Sequence, residues 1–80
     1  MKIEISDLIR LMNQVREDDS ESPLSISSTD LFADKGVDSL TLASFYFAVE
    51  EKYSVSIPDN VLPKIRTMTD MKNFLEGNLN

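Results

Sequence analysis

The chain has 80 residues, with 14 acids against 8 bases and a formal net charge of −6, so it is expected to form one small domain spanning 1–80. It contains no cysteine and no histidine. This excludes disulfides and leaves no ordinary ligand set for zinc, so no metal site is expected.

The hydrophobic share of 41% is that of a globular chain and argues against full disorder. A chain this short buries only roughly 60–65% of its unfolded surface, so the core must be thin. The acid excess repels nucleic acid and anionic membranes and favours basic protein partners. No apolar run approaches the length of a membrane span, so no stable insertion is expected. Met1 to Val15 carries Glu4 and Asp7 and does not read as a secretory signal. A cytoplasmic monomer is the expectation.

A first helix is predicted from Lys2 or Ile3 to Val15 or Arg16. Ile5, Leu8, Ile9, Met12 and Val15 recur at helical spacing and make one core-facing stripe. Glu4 and Asp7 near its start and Arg16 near its end suit the helix dipole.

Glu17 to Ser28 is rich in acid and serine and contains Pro23, which reads as a loop. The connection to Asp38 is long, so Leu24, Ile26, Leu31 and Phe32 are expected to pin it to the bundle. Thr29 or Asp30 is placed to cap a short turn through Ala33. The acids Glu17, Asp18, Asp19 and Glu21 read as a solvated loop in preference to a cation site.

Gly36-Val37-Asp38-Ser39-Leu40 then opens the longest apolar-periodic run. Gly36 permits a sharp turn with positive φ, Asp38 is a preferred N-cap, and Ser39 becomes the first helical residue. Ser39 therefore lies where unpaired N–H groups and the positive dipole end favour a phosphate. An ordinary first-turn serine explains the same position. A catalytic serine does not fit, because no histidine can serve as base and no G-x-S-x-G elbow surrounds it. An EF-hand fails as well: with Gly36 sixth in the loop, Leu31 stands first, where a carboxylate is needed.

On a wheel of ~100° per residue, Leu42, Phe45, Tyr46, Val49 and Tyr53 form the core face of this second helix. Leu40 and Phe47 fall almost opposite, with Ser44 and Glu51 beside them. An apolar pair on the far side of a small protein's helix suggests a docking stripe next to Ser39.

Ile57-Pro58-Asp59 is expected to start a short third helix, with Val61, Leu62 and Ile65 inward. Pro63 should break, shift or shorten it. A fourth helix begins at Thr67 as N-cap, paired with Asp70 in a capping-box-like arrangement. Met68, Met71, Phe74 and Leu75 face inward, and Gly77 and Asn78 are expected to stop it.

Gly36, Asp38, Ser39 and Leu40, with Glu50-Glu51-Lys52-Tyr53 and Ile57-Pro58-Asp59 at the same separation downstream, resemble the acyl carrier proteins. The resemblance covers nearly the whole chain; Pro63 departs from it. It implies an all-α fold, a small acyl-carrier-like four-helix bundle of three main helices and one short one. It implies that Ser39 carries a 4′-phosphopantetheine arm donated by coenzyme A, whose thiol holds an acyl group for fatty-acid, polyketide or specialised lipid synthesis. By the same resemblance, Asp38 caps the helix and takes part in recognition by a phosphopantetheinyl transferase. Leu40, Ser44, Phe47, Glu50 and Glu51 are the implied contacts for acyl-loading and acyl-transferring enzymes. Such a protein carries and does not catalyse.

Fatty-acid carriers of this kind present acids along the second helix, whereas Thr41 to Ala48 contains none. A dedicated carrier for one pathway is therefore expected. Bulky Phe45 and Tyr46 should leave little room for long acyl chains beside that helix. An aminoacyl or peptidyl carrier, and an unmodified helical adaptor docking through Leu40 and Phe47, remain open on the residues alone.

Overall fold

The computed structural model of the protein describes residues 3–16 and 26–78. Among them, α1 spans Ile5–Val15, α2 spans Ser39–Tyr53 and α3 spans Met68–Asn78. Two 3-10 turns, Phe32–Lys35 and Leu62–Lys64, stand before and after α2. The described residues are helical or irregular, and the expected all-α bundle is what forms. Leu24 and the acids Glu17, Asp18, Asp19 and Glu21 lie outside the described residues.

The amphipathic stripes explain the packing. Leu8 and Met12 of α1, Phe45 and Val49 of α2, and Met68, Met71 and Leu75 of α3 are fully buried, and α1 packs on both other helices. Ile5, Ile9, Val15, Leu42, Tyr46, Tyr53 and Phe74 are partly buried around them. Ile26 and Phe32 close the core from the connection ahead of α2, as their apolar character demands. Phe32 and Phe45 meet edge-on at 6.0 Å, the geometry aromatic quadrupoles prefer.

Several local expectations are corrected. Helix α1 starts at Ile5, with Glu4 extended at the N-cap position. Ile3 stays outside the helix, buried, with its N–H donating to Glu76 Oε2 at 3.4 Å. An extended approach lets Ile3 reach core that a helical turn would carry it past.

Leu31 is 41% exposed and does not pin its segment; Phe32, one position on, does. Neither Thr29 nor Asp30 caps the first 3-10 turn, which begins after Leu31 without a side-chain cap. Asp30 instead accepts from its neighbour Ser27 N–H at 2.9 Å, and Lys35 Nζ lies 3.6 Å from the same carboxylate.

The short third helix contracts to the single 3-10 turn Leu62–Lys64. Pro63 sits at its start, where its missing N–H removes no bond, and Ile65 is buried behind it. Helix α3 continues through Gly77 to Asn78, and Asn78 Nδ2 donates to Phe74 O at 2.7 Å. At its other end Thr67 Oγ1 accepts from Asp70 N–H at 3.0 Å. Asp70 reaches back to Arg66 N–H, one residue before the position a capping box uses.

Candidate functional site

The site is built by the turn into α2. The first 3-10 turn ends on Gly36, which adopts φ 74° and ψ 20°. Only glycine takes this left-handed conformation without strain. A side chain added there would have nothing within 4 Å, so the surface over the turn is open. Val37 N–H donates back to Phe32 O at 3.2 Å, which ties the turn to a buried core residue.

Asp38 is extended (φ −80°, ψ 172°) and caps α2: its Oδ1 accepts from Thr41 N–H at 2.7 Å, and its carbonyl accepts from Leu42 N–H at 3.0 Å. The hydrogen bond from Thr41 holds the Asp38 carboxyl below its ordinary value of 3.8. Ser39 is the first residue of α2 and is exposed. Its hydroxyl thus stands in open solvent at the positive end of a 15-residue helix whose cap a neighbour already supplies. An exposed serine at this helix start suits an anionic group joined to its Oγ, so the residues fit a covalently attached phosphodiester arm.

Leu40 and Phe47 are each 62% exposed, on the side of α2 away from Phe45 and Val49. Ser44 is half-buried and, with Phe47, Ala48 and Glu51, borders a groove of about 560 Å³ against Gln14, Val15 and Arg16 of the first helix and its end. Leu40, Ser44, Phe47 and Glu51 are therefore brought to the outer side of α2.

Glu50 is not among them. It is half-buried, and its Oε2 accepts from Ile57 N–H at 2.7 Å. Its carboxylate thus serves the chain's own connector. Sequence reasoning missed it because Glu50 and Glu51 are adjacent and alike in type. Helical phase was the signal, since Glu50 falls nearer the Val49 and Tyr53 side.

A second crevice flanks α2 on the inner side. Leu31, Phe32 and Ala33, Leu42 and Tyr46, and Leu62, Pro63, Ile65 and Arg66 enclose about 420 Å³ of mainly apolar space. Leu42 is only partly buried because it forms this wall. Tyr46 Oη donates to Ile65 O at 2.9 Å across its end.

Comparison with known proteins agrees with this geometry. The family described as phosphopantetheine attachment site matches residues 9–75. The chain belongs to that family, and the group such a domain carries is 4′-phosphopantetheine. It is 36% identical over 47 residues to an acyl carrier protein of Campylobacter fetus, covering 59% of this chain and 61% of that protein. It is 33% identical over 72 residues to a mitochondrial acyl carrier protein of Dictyostelium discoideum, covering 90% of this chain and 58% of that protein. The chain therefore spans about three fifths of the length of these curated relatives. In three dimensions it is similar to butyryl-ACP of the actinorhodin polyketide synthase from Streptomyces coelicolor. That likeness has a TM-score of 0.80 and 26% identity, and covers 98% of this chain and 92% of that one.

Proposed function

We propose that this protein is an acyl carrier in which Ser39 is the attachment residue for 4′-phosphopantetheine. The observation that carries the proposal is the exposed Ser39 hydroxyl at the start of α2, beside an Asp38 already committed to the cap. The arm, when bound, supplies a terminal thiol that holds an acyl group as a thioester activated for transfer. The chain itself presents Ser39, fixes the direction of α2 and offers a surface for recognition. It performs no bond-making step of its own, and works as one domain in the cytoplasm.

Its partners are a phosphopantetheinyl transferase and enzymes that load and collect acyl groups, engaging Leu40, Ser44, Phe47 and Glu51. The stretch Thr41 to Ala48 offers them no acid, while Leu40 and Phe47 offer apolar area. Close charge pairing fixes register and discriminates between partners. A carrier without it, yet with exposed apolar anchors, suits a dedicated partner in one route, polyketide-like or a specialised lipid route. Likeness to a polyketide synthase carrier supports that reading.

Intact mass after incubation with coenzyme A and a broad-range phosphopantetheinyl transferase tests the proposal. Wild type should gain one arm, mapped to Ser39. Ser39→Ala should gain none and fold normally, because alanine is a good helix former and Asp38 keeps the cap. An unmodified wild type, or an arm on another serine, defeats the assignment.

A further inference from the structure

The crevice beside α2 has three walls, and two hydrogen bonds converge on one short segment, Ile65-Arg66, to hold them together. Tyr46 Oη on α2 donates to Ile65 O at 2.9 Å. Phe32 N–H at the first 3-10 turn donates to Arg66 O at 3.0 Å. Between them, Phe32 and Phe45 are buried and in edge-on contact, and Phe45 also meets the Tyr46 ring at 6.0 Å. Rigid rings in rotamer minima do not yield volume the way a leucine or methionine does.

Leu42, one helical turn after Ser39, forms part of the crevice wall. A group tethered to Ser39 is therefore held at high local concentration over the opening. A chain too long for the crevice would have to move the segment Leu62 to Arg66, which forms its far wall, away from α2. That motion breaks the Tyr46–Ile65 hydrogen bond.

We propose that Tyr46 is a length-determining residue of this carrier, whose hydroxyl latches Ile65 to α2 and so admits short acyl groups to the crevice while keeping long ones outside. The inference rests on the acyl-carrier reading. Burial raises the Tyr46 phenol above its ordinary value of 10.0, so the latch stays protonated and donating throughout the neutral range. Tyr46 acts through Ile65 and the crevice width, so it is a positioning residue.

The test uses the whole chain, wild type and Tyr46→Phe, each loaded by a transferase from butyryl-, octanoyl- or hexadecanoyl-coenzyme A. Tyr46→Phe keeps the ring and removes only the hydroxyl, which preserves the fold. Intact mass establishes loading independently of any insertion into the crevice. Methyl NMR shifts of Leu42, Leu62 and Ile65 are then read against the unacylated arm. In wild type, octanoyl should move these methyls no further than butyryl does. In Tyr46→Phe the open crevice should gain roughly 2- to 10-fold in population, the factor a net hydrogen bond supplies, and octanoyl should produce markedly larger shifts. A purely structural role would alter stability equally for every cargo and leave no dependence on length. Equal shifts for octanoyl in the two proteins, or full insertion of octanoyl in wild type, overturn the inference and leave the carrier standing. Failure of wild type to accept any arm overturns the carrier reading, and this inference with it.

Discussion

The Glu50 carboxylate stands 2.7 Å from the backbone N–H of Ile57, seven residues further along the chain. That contact draws the connector after α2 back against the helix and seats Ile57 in the core, where it is 6% exposed. The turn it spans contains Ser54, which closes α2 in a left-handed conformation (φ 55°) with its N–H on Glu50 O. Glu50 thus binds the connector twice, once through its backbone carbonyl and once through its side chain.

Glu50 and Glu51 should separate cleanly in urea unfolding. Glu50→Ala leaves the N–H of a buried residue without its partner, a loss of about 1–3 kcal/mol. Glu50→Gln keeps an acceptor and should cost less. Glu51 is exposed, so Glu51→Ala should stay within about 0.5 kcal/mol of wild type. Equal costs for the two alanine variants would mean that the Glu50 contact contributes nothing.

Phe45 and Phe47, two positions apart on α2, should behave as opposites. Phe45 is fully buried, and Phe45→Ala should cost about 3–5 kcal/mol. Phe47 is 62% exposed, and Phe47→Ala should cost no more than about 1 kcal/mol while slowing transfer to partner enzymes. Thermal unfolding and single-turnover transfer kinetics check the two halves. A stability loss for Phe47→Ala as large as that for Phe45→Ala would place Phe47 in the core.

Acid should loosen the connection that leads into α2. Asp38 and Asp30 are both held below their ordinary 3.8, by hydrogen bonds from Thr41 and Ser27 respectively, with Lys35 adding to the effect on Asp30. A carboxyl whose folded-state pKa is depressed contributes its stability in full above its unfolded value. That contribution is lost as pH falls from near 3.8 through the lower folded-state values. Asn is itself a good N-cap and does not titrate in this range, so Asp38→Asn with Asp30→Asn should flatten the loss. Urea midpoints at about pH 6, 4 and 3 measure it. An acid slope unchanged in the double variant would assign it to other carboxylates.

Two residues with left-handed backbone should respond in opposite directions to glycine exchange. Ser54 holds φ 55° without being glycine, at a conformational cost of roughly 1–2 kcal/mol. Ser54→Gly removes that cost but adds about 0.4–1 kcal/mol of unfolded-state entropy, so a net gain of about 0.5–1 kcal/mol is expected. At Gly36, Gly36→Ala meets open space but inherits the left-handed cost, and should lose about 1 kcal/mol. Differential scanning calorimetry reads both. A melting point for Gly36→Ala at or above that of wild type would contradict the turn geometry.

Much of what rests on neighbours along the chain was set by the sequence alone, although the first residue of α1, the cap of the first 3-10 turn and the end of α3 were not. The stripes of Leu8 and Met12, of Phe45 and Val49, and of Met68, Met71 and Leu75 follow from helical period. The turn at Gly36, the cap at Asp38 and the position of Ser39 follow from residues within one helical turn of each other. Local hydrogen bonding and backbone sterics decide such features, and both can be read from spacing. Pro63 foretold that the element after Pro58 would be broken or shortened, because a missing N–H is a local fact. Tertiary packing alone settled which polar groups are spent inside the fold. Glu50 and Glu51 are adjacent and alike in type, and although helical phase leans Glu50 inward, only the path of the connector supplies the N–H that its carboxylate holds. Leu31 and Phe32 are equally apolar, and the entry angle of the turn buries only the second. The Tyr46 hydroxyl meets Ile65 across 19 residues of sequence, where no periodicity carries information. Such contacts depend on how three packed surfaces close on each other, which is a property of the assembled core and not of any one of its segments.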